Sequence, residues 1–250
     1  MEHAISLRRS CATLMLAAAA LSPGPANADL ILLGSDYFRT VAPTKFLFPP
    51  FGLVPLSGVP SFFGGSDTHV RRLSDCAIDL SSASSSCTIP IELVALSLVG
   101  GGALIRESPT LTSGGSMTLF SDGSGNGGTF DSFFDIFFDL SLDNGSTYQP
   151  APNPPKRLTS TGAAWGIVPN GPLLVGLVGD PDANFHSDMG FNCPSLPLMP
   201  CHDFFVGPAP IMHVNPDGSM HTVVPLPEPS APALVGLALL GLAMTRRRRG

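Results

Sequence analysis

Apolar and polar side chains alternate along much of this chain, the period expected of a strand with one buried face. The longest example is 130–142. Phe130, Phe134, Ile136, Phe138, Leu140 and Leu142 fall on one face, and Asp131, Asp135, Asp139 and Ser141 on the other, with Phe133 and Phe137 among them. Asp143-Asn144-Gly145 then predicts a turn. A second apolar stretch, 87–99, is closed by Gly100-Gly101-Gly102. Shorter strands are expected at 30–34, 52–56, 68–72, 76–80, 103–107, 116–120, 163–168, 173–178, 211–214 and 221–224. Residues 29–63 hold many Pro and Phe, and this predicts an extended, edge-like start. The Pro-rich run 149–156 reads as a linker or a long surface loop, and 194–210 as irregular. Short strands between Gly, Pro, Ser and Asn turns predict an all-β fold, a β-sandwich or jelly-roll-like single domain with Gly/Pro-rich loops.

Composition narrows the class. The 250 residues include 27 Gly and 26 Pro, and these would interrupt long helices. Charged residues are 13% and hydrophobic residues 44%, which excludes a highly charged disordered polymer.

The two ends read differently from the rest. In 1–28, Arg8 and Arg9 precede a short Ala/Leu run, and Ala26-Asn27-Ala28 forms a small-residue cleavage site that leaves Asp29 first. This predicts a signal helix, the Sec translocon and signal peptidase as partners, and export. At the other end Pro227-Glu228-Pro229 precedes an apolar run, 231–244, and then Arg246, Arg247, Arg248 and Arg249. A helix over that run rises about 21–24 Å, short of the roughly 30 Å hydrocarbon core. Local thinning and snorkelling arginines accommodate such a span. The arginines favour the cytoplasmic side.

This order of motif, apolar segment and basic cluster resembles the PEP-CTERM sorting signal of Gram-negative bacteria. The resemblance covers 227–250 alone. It implies that an exosortase, a membrane cysteine protease-transpeptidase, recognises Pro227, Glu228 and Pro229 and processes the tail. It also implies anchoring in the inner membrane during transit, then release to the cell surface or the extracellular matrix of a biofilm, with extracellular polysaccharide as a neighbour.

Removing the ends changes the charge. The whole chain is formally −6, whereas 29–226 holds 7 basic and 17 acidic residues, hence −10. Such a body does not attract nucleic acid through bulk electrostatics. Four of its residues are cysteines, Cys76, Cys87, Cys193 and Cys201, and an even count in an exported chain points to disulfides. Sequence proximity favours Cys76–Cys87 and Cys193–Cys201. A zinc site from Cys193, Cys201 and His202, with His186 or His213, matches no standard spacing.

Few motifs carry chemistry. Asp180, Asp182, Asn184 and Asp188 offer oxygens at alternating positions that suit calcium, but Pro181 and Phe185 interrupt them and a polar loop is the plainer reading. Asp122–Gly127 begins like a calcium loop and then lacks its final carboxylate. His213 and His221 flank Asn215-Pro216-Asp217-Gly218, which places them opposite each other in a hairpin as exposed strand residues. Asp131, Asp135 and Asp139 lie about 13 Å apart in succession. That is too far for a glycosidase pair, and they read as a solvent-facing stripe. No nucleophile elbow or phosphate loop is present. The reading is therefore a non-enzymatic, structural or adhesive exported protein with no cofactor. A secreted module for glycan or calcium is the alternative, and a secreted hydrolase is a third class.

Overall fold

The computed structural model describes residues 28–62, 65–151, 155–168 and 201–226. These are nearly all β. In chain order the strands are β1 (Asp29–Ile31), β2 (Gly34–Phe48), β3 (Gly52–Pro55), β4 (Ser57–Gly58), β5 (Thr68–Arg72), β6 (Cys76–Ile78), β7 (Ser86–Gly100) and β8 (Ala103–Glu107). There follow β9 (Ser113–Ser121), β10 (Gly127–Ile136), β11 (Phe138–Ser141), β12 (Gln149–Pro150), β13 (Lys156–Gly166), β14 (Cys201–His202), β15 (Phe205–Val206), β16 (Ile211–Val214) and β17 (Met220–Pro225).

Eight of these strands close a ring. The order β7-β5-β2-β17-β16-β13-β10-β9 returns to β7 because Ser86–Leu93 also pair with β9. Every pair in the ring is antiparallel. The all-β class is as the alternation predicts, and the sheet is barrel-like. Closure leaves those strands without free edges. The thinnest seam lies between β13 and β16, which share one pair, Thr159 with Val214. Beyond the ring, the end of β7 continues into a smaller sheet of β8, β11 and β12.

Alternate residues point inward. Phe38, Ile91, Leu93, Met117, Phe130, Phe134, Leu158, Ile211 and Val223 fill the lumen. Trp165 is also buried, its Nε1–H shared between the carbonyls of Phe120 (3.2 Å) and Thr129 (3.0 Å). It stacks on Phe204, and both help close one end of the core.

The register separates two ends. At the proximal end lie Asp29, Cys87, Gly166 and Pro225, with the sheet β14-β1-β6. At the distal end lie the β2–β3 and β7–β8 hairpins and the 215–218 turn. The expected 149–156 interruption holds the short β12, and β10 and β13 on either side of it pair directly with each other.

Two expectations change. Within 29–63 the long β2 is not edge-like, because it lies between β5 and β17 in the ring, whereas β3 and β4 each pair on one side only. Pro43 offers no N–H, but neighbouring hydroxyls mend the ladder. Thr222 Oγ1 donates to the Pro43 carbonyl (2.6 Å), and Thr44 Oγ1 accepts from Thr222 N (3.0 Å). The 130–142 alternation also loses phase after Phe138. The chain leaves the barrel near Phe137 to join β8, so Asp139 and Ser141 are buried and Leu142 is 76% exposed.

Cys76 and Cys87 form a disulfide that joins β6 to the start of β7. Cys201 is also disulfide-bonded. Cys193 lies outside the described residues. Replacing Cys76 and Cys87 by Ser is expected to cost about 2–3 kcal/mol, for a loop of 11 residues. Denaturant unfolding midpoints of the two proteins measure it.

Candidate functional site

The lumen holds a polar cluster inside its apolar wall. Asp67, just before β5, is completely buried. Its carboxyl accepts from Thr40 N (3.0 and 2.9 Å), from Thr40 Oγ1 (2.6 Å) and from Thr68 Oγ1 (2.8 Å). Buried polar groups persist only when bonded in this way. Gly58 makes room for that carboxyl, since a Cβ there would stand 1.7 Å from Asp67 Oδ2.

Thr40 links this carboxyl to a histidine. Its hydroxyl lies 2.9 Å from His221 Nε2. A hydroxyl has one proton to give, and Thr40 gives it to Asp67, so His221 Nε2–H is the donor to Thr40. His213 sits opposite His221 in the β16–β17 ladder, and its Nε2 lies 3.0 Å from Ser132 Oγ. Aromatic rings edge both imidazoles, Phe46 at 6.4 Å from His221 and Phe134 at 5.6 Å from His213. The exposed placement expected for these histidines is therefore corrected. Both are buried, because their alternation phase matches Ile211 and Val223.

Burial disfavours the charged imidazole. Desolvation holds His213 down at about 3, with the proximity of His221 adding to it, and holds His221 down at about 4. Both are neutral at pH 7. The space beside them measures about 50 Å³. An apolar cavity of roughly 150 Å³ is needed for a benzene-sized guest. The lumen is thus a packed interior with water-sized space.

A second polar group lies nearer the proximal end. Arg72 is fully buried. The strand alternation of Thr68, Val70 and Arg72 is the signal that places it inside. Its Nε donates to Asp36 Oδ2 (3.0 Å), its Nη1 to the Leu32 carbonyl, and its Nη2 is 3.8 Å from Asp203 Oδ1. Its guanidinium carbon lies 4.9 Å from the centre of the Phe204 ring. The two carboxylates and the ring compensate its charge locally.

The surface carboxylates are engaged separately. Asp135 pairs with Arg157, which holds its carboxyl below the usual range. Asp131 accepts from Gly162 N (2.8 Å), and Asp139 pairs with Arg106 (3.2 Å). The expected solvent stripe is corrected at Asp139, which is buried among β8 and β11. Burial raises Glu107 to about 7, with the charges of Glu92 and Asp139 adding to it against hydrogen bonds from Ser113. The Asp122–Gly127 segment is a hairpin turn in which Asp122 Oδ1 accepts from Ser124 N (2.8 Å). His202 Nε2 lies 2.9 Å from Asp29 Oδ1. No group of three or more metal-ligating side chains occurs among the described residues. Asp180, Asp182, Asn184 and Asp188, the motif Pro227-Glu228-Pro229, the arginines 246–249 and Ala26 lie outside the described residues. Among the described residues no helix is long and apolar enough to cross a membrane. Compared with protein-family models, curated proteins and solved structures, the chain matches none of them.

Two outcomes follow from the polar core. As pH falls below about 6.5 the unfolded histidines take up protons while the buried pair resists, so stability falls with pH. Each histidine adds a slope of about 1.4 kcal/mol per pH unit until its folded value is reached. In the variant H213Q/H221Q this slope between pH 6.5 and 5 disappears from denaturant midpoints. Separately, Gly58→Ala is expected to cost about 2–4 kcal/mol by displacing the Asp67 carboxyl from Thr40, readable in the same unfolding assay.

Proposed function

We propose that this chain is an exported, disulfide-bonded β-barrel protein, sorted to the cell surface or extracellular matrix by exosortase-type processing of its tail. Its role there is structural or adhesive, and non-enzymatic. The observation that carries the reading is the order of Pro227-Glu228-Pro229, the apolar run 231–244 and Arg246–Arg249. Three features of the body support it. Strands run from Asp29 to Pro225, between the two proposed processing points. The Cys76–Cys87 disulfide suits an oxidising compartment. The lumen is filled by side chains, so the barrel serves as a scaffold and leaves its outer surface for contacts.

Ser132 and His213 favour a second reading, a hydrolase, because a serine and a neutral histidine stand 3.0 Å apart. A nucleophile must meet its substrate, however, and Ser132 faces a cavity of about 50 Å³. For a glycan-binding module, exposed aromatic platforms are wanted, and the single Trp, Trp165, is buried.

Substituting Glu228 by Ala, or deleting 227–250, tests the sorting. Pulse-chase of the exported chain is expected to show loss of the processed form and retention in the inner membrane for Glu228→Ala. Unchanged processing and surface delivery would defeat the reading.

A further inference from the structure

The ring is weakly joined at one seam. β13 and β16 share the single pair Thr159–Val214. The next link along β13 is Ala164, whose carbonyl accepts from Gly207 N (2.8 Å), and beyond it β15 pairs with Trp165 and Gly166. Between these two anchors no described residue pairs with 160–163 on that side, and Ile211, Met212 and His213 have ladder partners in β17 alone. Both walls explain the gap. Pro208 and Pro210 have no N–H to give to a ladder. On β13 the register slips opposite Asp131. There Gly162 takes φ 68° and its N–H goes to Asp131 Oδ1 (2.8 Å), so the strand bends.

The gap is a hollow of about 490 Å³. Residues 159–164 form one wall and the chain around 207–214 the other, and Gly162, Ala163, Ala164, Gly207 and Ala209 keep it wide by their small size. Neither wall contains Asp, Glu, Lys or Arg. The ion pairs Asp135–Arg157 and Lys156–Asp217 lie past Thr159, outside the pair that bounds the hollow. Met212 is 47% exposed and Val214 40%. An unpaired strand side beside exposed apolar groups is an acceptor for one more extended strand.

The chain itself supplies one. The described residues stop at Val168, two past the end of β13, and resume at Cys201, four before β15. Residues 169–200, which lie outside the described residues, therefore join one wall of the hollow to the other. Residues 169–179 carry no charged side chain, and they include 173–178, Leu-Leu-Val-Gly-Leu-Val, where the sequence predicts a strand. Pro169-Asn170-Gly171-Pro172 before it are residues suited to a reversal alongside β13. Six extended residues span about 20 Å, and Thr159 to Ala164 about 17 Å. From Val168 five residues reach about 16 Å, enough to pass the positions that β15 occupies. In an extended strand Leu173, Val175 and Leu177 share one face. A segment tethered to both walls meets the hollow at roughly millimolar effective concentration, which a second copy or a free peptide has to exceed. We propose that Leu173–Val178 docks in this hollow as an extended strand, with Leu173, Val175 and Leu177 turned into it. The proposal is independent of the sorting tail.

The test uses the full chain, with the photo-crosslinker benzoylphenylalanine in place of Met212 and, separately, of Thr161, an exposed residue on the opposite wall. Each protein is irradiated as an equal mixture of unlabelled and isotope-labelled chains, reduced, digested with pepsin and read by mass spectrometry. Both positions are expected to crosslink to 173–178 within one chain, so that each linked peptide pair carries a single isotope. V175D, which would place a charge in an apolar contact, is expected to lower that product about tenfold with the Cys76–Cys87 bond intact. Should V175D fail to fold, the milder L177S carries the comparison. The proposal is overturned if wild type gives no product with 173–178, if mixed-isotope pairs predominate, which would identify a second copy as the occupant, or if the folded variant crosslinks as well as wild type.

Discussion

The hydrogen bonding of β7 on both edges is the constraint from which the rest follows. Ser86–Leu93 pair with β9 while Ile91–Leu96 pair with β5, and this closes eight strands into a ring. An open sheet of these strands would leave two edges and one face in water. Closure instead creates an interior that water does not fill. Every inward position is then committed to burial, whatever its side chain.

That commitment explains the polar core. Asp67, Thr40, His221, His213 and Ser132 occupy inward or adjoining positions, and each is kept by a partner within the same interior. Neutral imidazoles are the cheap state there, because an imidazolium would have to give up its hydration. Arg72 follows the opposite route, keeping its charge company with Asp36 and Asp203. Directional bonds tie β2, β5 and β17 to one another through Thr40, Asp67, Thr68 and His221, and tie β10 to β16 through Ser132 and His213. The adjoining contact of Gly58 with Asp67 fixes where β4 crosses. Such a network specifies register where apolar packing alone tolerates slippage.

Much of this architecture was legible as periodicity. The strands Thr68–Arg72, Ala103–Glu107 and Ile211–Val214 begin and end where alternation and turn residues place them. The opposition of His213 and His221 followed from the Asn-Pro-Asp-Gly turn between them. Their burial did not follow, because a hairpin seen alone has two equivalent faces and only the distant strands β2 and β10 decide between them. Pro43 hid β2 for a similar reason. The hydroxyls that mend its ladder, on Thr44 and Thr222, include one 179 residues away. The phase break after Phe138 is likewise tertiary, since it arises where the chain exchanges β9 and β13 for β8 as neighbours.

The filled lumen moves the question of function outward. In a barrel that holds a ligand, inward residues shrink or recede to leave a void. Here bulky Phe, Leu, Ile and Met side chains fill the interior beside the buried polar groups, and the residual space is about 50 Å³. What distinguishes one copy of this barrel from a generic scaffold is then the contrast between its ends. The proximal end gathers the disulfide of Cys76 and Cys87 and the Asp29–His202 contact. The distal end gathers the glycine- and proline-rich β2–β3 and β7–β8 tips, with no charged side chain in 49–54 or 99–104, beside the 215–218 turn and its Lys156–Asp217 ion pair. The two ends also differ in how the ring is held: the disulfide secures β6 to the start of β7 at the proximal end, whereas β17, the last strand before Leu226, is held by ladders to β2 and β16, and β16 meets β13 through a single pair, so that seam is where the ring is least held.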